Sequence, residues 1–135
     1  MTLCDAGPLI AMVNARDVNH APCVGALAGL THPLVTTWPC FAEAMYLLHR
    51  EAGYPGQAEL WDYVRNNLLS FHVNSDEEIV RMEALMRQYR DRPMDLADAS
   101  LVAAAESLGQ TRVFTVDRDF LIYRLHGTTP FEVVP

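Results

Sequence analysis

Met1-Thr2-Leu3-Cys4-Asp5-Ala6-Gly7-Pro8-Leu9-Ile10-Ala11-Met12-Val13 decides the fold class. Its first residues read as a short buried strand that stops on an acid. Gly7 then permits a tight backbone, Pro8 suits a first helical turn, and Leu9 to Val13 make a short buried helix. Near the other end, Arg112 to Val116 is the clearest strand in the chain, and it also runs directly into an acid, in Asp117-Arg118-Asp119-Phe120.

Between these two stretches, helical and strand signals alternate. Asn19 is placed to cap a second helix that runs to about Gly29, and Leu34 to Thr37 is a β-branched strand. Trp38-Pro39 ends that strand. Cys40 to Arg50 then has helical composition, with Glu43 expected in the first turn; Gly53-Tyr54-Pro55-Gly56 breaks it, and helix resumes from Gln57 to Leu69. Leu69 to Val73 reads as a third strand, and Ser75 three residues before Glu78 is a capping box for a helix ending near Tyr89. After the polar loop Arg90 to Pro93, an alanine-rich helix that starts around Asp95 to Asp98 reaches Leu108, with Gly109 as its C-cap. Leu121 to Leu125 is expected to be a helical turn, and Phe131 to Val134 a last edge strand. Helices recurring between short apolar strands predict an α/β fold, a mostly parallel sheet covered on both faces, as one domain over 1–135.

Composition narrows the function classes. No stretch is apolar for long enough to cross a membrane, and acidic Asp5 with no basic segment before the apolar run is unlike a signal peptide, so a soluble cytoplasmic protein is expected. Cys4, Cys23 and Cys40 have no CxxC spacing and read as buried free thiols. The net charge is −7, and every one of the 10 basic residues is arginine. An acidic total counts against nucleic-acid binding unless carboxylates converge on divalent cations, which reverse the local field. Arg81, Arg87, Arg90, Arg92, Arg112, Arg118 and Arg124 are either a phosphate-binding rim or scattered surface charge. Trp38, Phe41, Tyr46 and Trp61 are assigned to the core. No P-loop, no GxGxxG and no paired-histidine metal spacing is present, and no serine or cysteine stands in a triad pattern.

In open α/β sheets, ligands bind beyond the carboxyl ends of the strands, where Asp5 and Asp117 both fall. Glu43 and Asp98, read as first-turn helix residues, would point toward the same end. These four carboxylates are the candidate catalytic set and the candidate ligands for Mg²⁺ or Mn²⁺, hard cations that favour oxygen donors. Glu43 is either a ligand or the base that positions a water. Asp119 is either a fifth ligand or a turn former, Asp95 a helix cap or a supporting acid, and Thr115 a plain β-former or a hydroxyl that supports the cluster.

Four segments, LCDAGPLIAMVN (3–14), TTWPCFAEAMYLL (36–48), PMDLADASLVAAAE (93–106) and VFTVDRDFLIYR (113–124), together resemble the PIN-domain ribonucleases, in particular toxins of the VapC type from prokaryotic toxin–antitoxin pairs. The resemblance spans essentially the whole chain. It implies a three-layer α/β/α sandwich, dependence on Mg²⁺ or Mn²⁺, endonucleolytic cutting of RNA, a homodimer, and a small antitoxin that inserts into or beside the cleft. It assigns Asp5, Glu43, Asp98 and Asp117 as the acidic set, with Asp119 assisting. Many relatives carry serine or threonine two residues after the first acid, where this chain has Gly7. The rival readings are a noncatalytic PIN-fold module that binds RNA or protein, and a phosphatase-like hydrolase. The second is opposed by Gly7 at the position of the second aspartate and by the lack of lysine.

Overall fold

A computed structural model describes residues 1–135. Five strands, β1 (Thr2–Cys4), β2 (Leu34–Thr37), β3 (Leu69–His72), β4 (Arg112–Phe114) and β7 (Glu132–Val134), form one sheet in the order β3-β2-β1-β4-β7. Every neighbouring pair in it is parallel. Two short strands, β5 (Arg124–Leu125) and β6 (Thr129–Pro130), pair separately as an antiparallel ribbon.

Five helices cover the sheet: α1 (Ala6–Val13), α2 (His20–Ala26), α3 (Trp38–Arg65), α4 (Asp76–Gln88) and α5 (Leu96–Leu108). Successive strand residues point to opposite faces. Leu3, Val35 and Val113 accordingly join α4 and α5 in one buried cluster, while Cys4, Leu34 and Phe114 join α1, α2 and α3 in the other. The result is the three-layer α/β/α arrangement read from the sequence.

Most boundaries follow the local chemistry. Ser75 and Glu78 form the reciprocal capping box at the start of α4, and Gly109 closes α5 at φ 66°, a left-handed conformation that glycine adopts without steric cost. The break around Gly53 is a kink rather than a gap: Gly53 takes φ 66° and ψ −164°, and Pro55 sits at the start of the helical stretch that follows. Four expectations are corrected. Helix α3 begins at Trp38, because Thr37 caps it and Pro39 is compatible with its first turn, so Glu43 lies in the second turn. Asn19 precedes α2 but its side chain makes no capping bond, because its backbone, at φ −94° and ψ 4°, lies outside the extended region that a capping residue adopts. The segment expected as a helical turn over Leu121–Leu125 is a 3-10 turn at Arg118–Leu121 followed by β5. Trp38 and Trp61 are also outside the core, at 47% and 40% exposure, with Trp38 stacked on Phe71 at 4.1 Å; Tyr46 is exposed too.

From β1 the sheet grows through β2 to β3 on one side; the chain then crosses back over α4 and α5 to place β4 on the other side. The crevice between β1 and β4 is thus the switch point of the strand order, and Cys4 lies in register with Phe114 there. Gly7, in the first turn of α1, packs so closely on the strand-end loop that a Cβ would lie 2.5 Å from Val116 Cγ2. Gly7→Ala is therefore expected to lose about 1–3 kcal/mol of stability despite alanine's better helix propensity, and Val116→Ala in the same chain should restore most of it. Denaturant unfolding of the two single variants and the double variant checks this.

Candidate functional site

At the switch point, Asp5 follows β1, Asp117 follows β4, and Asp98 sits in the first turn of α5. Carboxylate oxygens of these three residues lie within 4.8 Å of one another. They face a cleft of about 210 Å³ that Glu43 and Asp95 also line, with Gly7 and Val116 in its wall. Asp5 is 5% exposed and Asp98 6%, whereas Asp117 and Glu43 are half-buried.

Each acid is held by its own set of donors. The Ala6 N–H donates to Asp5 Oδ1 at 2.8 Å, which also makes Asp5 the cap of α1, and the Cys40 thiol approaches the same oxygen at 3.7 Å. The Thr115 hydroxyl donates to Asp5 Oδ2 at 2.8 Å and accepts the Asp117 N–H at 3.0 Å. One side chain thus ties the loops after β1 and β4 together. Asp117 Oδ1 accepts the Asp119 N–H, and Asp98 Oδ2 accepts the hydroxyl of fully buried Tyr123 at 2.9 Å. Asp95 caps α5 by accepting the Asp98 N–H, so it fixes the turn that carries Asp98. The Glu43 carboxylate makes no hydrogen bond and no ion pair; it is the acid of the cleft left free to accept a proton.

Asp119 is the candidate that the fold directs elsewhere. It lies outside the cleft, its carboxylate paired with Arg92 at 3.2 Å. Most of the arginines read as a possible phosphate rim are likewise committed: Arg81 to Glu106, Arg87 to Glu83, Arg112 to Glu132, and Arg124 to the carbonyls of Leu121, Ile122 and Tyr123. Tyr123 and Cys40 are contacts of the acids that the sequence reading missed. A tyrosine at the end of the apolar run Phe120 to Tyr123 was the available signal, since a buried phenol needs a partner.

Packing anions this closely disfavours their charge. Burial, with the charges of Asp5 and Asp95 adding to it, pushes Asp98 up to about 8 against the hydrogen bond from Tyr123. Burial also raises Asp5, opposed by its bonds from Thr115 and Ala6, and raises Glu43, reinforced by Asp95, Asp5 and Asp117. Burial drives the Cys40 thiol well above its ordinary value, so it stays a neutral donor. The donor set is all carboxylate oxygen, with no unpaired imidazole or thiolate, which fits a hard divalent cation such as Mg²⁺ or Mn²⁺ better than zinc or copper.

The PIN domain family model matches residues 2–124. The VapC20 toxin of Mycobacterium tuberculosis, described as cleaving the sarcin–ricin loop, superposes with a TM-score of 0.83 at 17% identity, over 100% of both chains. A toxin–antitoxin complex from Klebsiella pneumoniae gives 0.64 at 18% identity, over 87% of this chain and 88% of that one. VapBC2 of Rickettsia felis, bound to a DNA fragment from its promoter, gives 0.69 at 12% identity, over 99% and 98%. At these identities the likeness is one of fold. No curated protein sequence matches the chain significantly.

The raised Asp98 sets a pH dependence of definite sign. Between its ordinary value of 3.8 and about 8, the folded metal-free protein keeps a proton that the unfolded chain releases, so stability falls as pH rises through that window and levels off above it. Raising the pH from 6 to 8.5 should cost about 1–3 kcal/mol without metal. Asp98→Asn, which keeps an acceptor for Tyr123, should be more stable than the parent at pH 8.5 and show a flatter profile. Thermal melts in chelator across this range measure it; a variant no more stable at pH 8.5 would contradict the assignment of strain to Asp98.

Proposed function

We propose, from the premise that this chain belongs to the PIN-domain family, that it is a Mg²⁺- or Mn²⁺-dependent endoribonuclease acting as the toxin of a toxin–antitoxin pair. The observation that carries the reading is the meeting of the Asp5, Asp98 and Asp117 carboxylates within 4.8 Å at the switch point of a parallel sheet. The fold shared with VapC20 and with structures of toxin–antitoxin complexes supports the toxin assignment.

Asp5, Asp98 and Asp117 would hold the cation, with Glu43 completing the set directly or through water. Bound there, it would acidify a water and offset charge on a phosphodiester. The protein's own part is positioning and proton handling. Thr115, Ala6 and Cys40 hold Asp5 in one orientation, and Asp95 and Tyr123 do the same for Asp98, so these two acids are preorganised. Glu43, unbonded and with its affinity for protons raised by burial, is the group suited to take a proton from the attacking water. Asp119, tied to Arg92, would act by holding the loop after Asp117 rather than as a ligand.

Single-stranded or looped RNA is the substrate class whose phosphodiesters reach a shallow acidic cleft. A small antitoxin would silence the enzyme by presenting arginine or lysine to the carboxylates, a charge-assisted contact. The cytoplasm, where three buried free thiols persist, is the compartment we assign, and homodimerisation follows from the family resemblance.

Cleavage of a mixed RNA pool with Mg²⁺ or Mn²⁺ tests the function. Cutting should require the metal, stop with EDTA, and fall by about a hundredfold or more in Asp5→Asn, and Glu43→Gln should lower the rate with less effect on metal binding. Metal binding with no cutting of any RNA would favour the noncatalytic PIN-fold module, and full activity of Asp5→Asn would remove the site assignment.

A further inference from the structure

A second cavity of about 280 Å³ adjoins the acid cleft and shares Val116 and Asp117 with it. Its walls come from separate parts of the chain: Asn19 before α2, Val116 after β4, Arg118 and Leu121 on the 3-10 turn, and Val133 on β7. Asp117 therefore stands on the ridge between an acidic compartment and one of mixed character.

Two polar side chains in this second cavity have no partner within the protein. Arg118 is exposed and joins no ion pair or hydrogen bond, although Arg81, Arg87, Arg92, Arg112 and Arg124 are all engaged. Asn19 holds the position before α2 where its side chain would ordinarily cap the helix, yet the carboxamide makes no such bond. A guanidinium offers a planar fork suited to phosphate oxygens, and a carboxamide has both a donor and an acceptor for a base edge. Val116, Leu121 and Val133 supply apolar surface for the face of a base.

We infer that this cavity is a subsite for the ribonucleotide next to the scissile phosphate. Arg118 binds that nucleotide's phosphate, the apolar wall packs its base, and Asn19 reads the base edge. In a protein of net charge −7, a free cation beside the carboxylates also gives the substrate's backbone a point of attraction where repulsion would otherwise dominate. The inference rests on the ribonuclease reading and adds to it the residues that set substrate position and base preference.

The test measures binding of fluorescein-labelled single-stranded RNA hexamers, one homopolymer per base, in Mg²⁺ over a salt series. The Asp5→Asn protein, alone and with Arg118→Gln or Asn19→Ala added, reads binding without cutting, and thermal melts establish that each variant is folded. Arg118→Gln should weaken every hexamer about tenfold and reduce the slope of log affinity against log salt by about 0.7, the value for one phosphate contact on a single strand. Asn19→Ala should leave that slope alone and narrow the differences among the four hexamers. Unchanged affinity, slope and base preference in both variants, while the protein with Asp5 intact cuts RNA, would overturn the subsite and leave the nuclease standing. If no hexamer binds and the intact protein cuts no RNA, both readings fall.

Discussion

Mutual repulsion among Asp5, Asp98 and Asp117, whose carboxylate oxygens lie within 4.8 Å of one another, is the constraint on which the rest of this structure depends. Two of the three are nearly fully buried, so water does little to screen them. Protein donors stabilise the arrangement only in part: Thr115, Ala6 and Cys40 serve Asp5, and Tyr123 serves Asp98. Burial first, and then the charges of Asp5 and Asp95, push Asp98 up to about 8. A divalent cation is the counter-charge that would relieve all three together, and its binding would be strongest where the proton has already left.

The fold supplies the positions. Parallel pairing of β1 with β4, in register at Cys4 and Phe114, brings two strand-end acids from opposite ends of the chain side by side. Thr115 then ties them through one hydroxyl, and the close approach of Gly7 to Val116 leaves no room for a side chain at that position. Asp98 arrives from a third direction on α5, whose start is set by the Asp95 cap. Cleft geometry is thus inherited from a parallel ladder, two helix caps and one glycine contact.

Asp5 and Asp117 were legible because an acid that interrupts a buried strand has few structural uses, and the strand-end rule for α/β sheets points both to one edge. The helix turn holding Glu43 was misplaced, because Trp38-Pro39 reads equally as the end of a strand and the beginning of a helix. Partners distant in sequence were not legible. Arg92 and Asp119 are 27 positions apart, and nothing local to either announces the ion pair they make outside the cleft. The same holds for Tyr123 with Asp98, and for the ion pairs that leave Arg118 free while its neighbours are engaged. The surface positions of Trp38 and Trp61 escaped as well, since periodicity assigns an aromatic to an apolar face without saying whether another layer covers that face.

Calorimetric titration of the metal-free protein with Mn²⁺ at pH 7, repeated in buffers of different ionisation enthalpy, tests the central claim most directly, because it reads binding and proton release together. Saturable binding that displaces about one proton, and that weakens sharply in Asp98→Asn, is the predicted result. Absence of saturable binding in the folded parent protein, or binding unchanged in Asp98→Asn, would contradict the account.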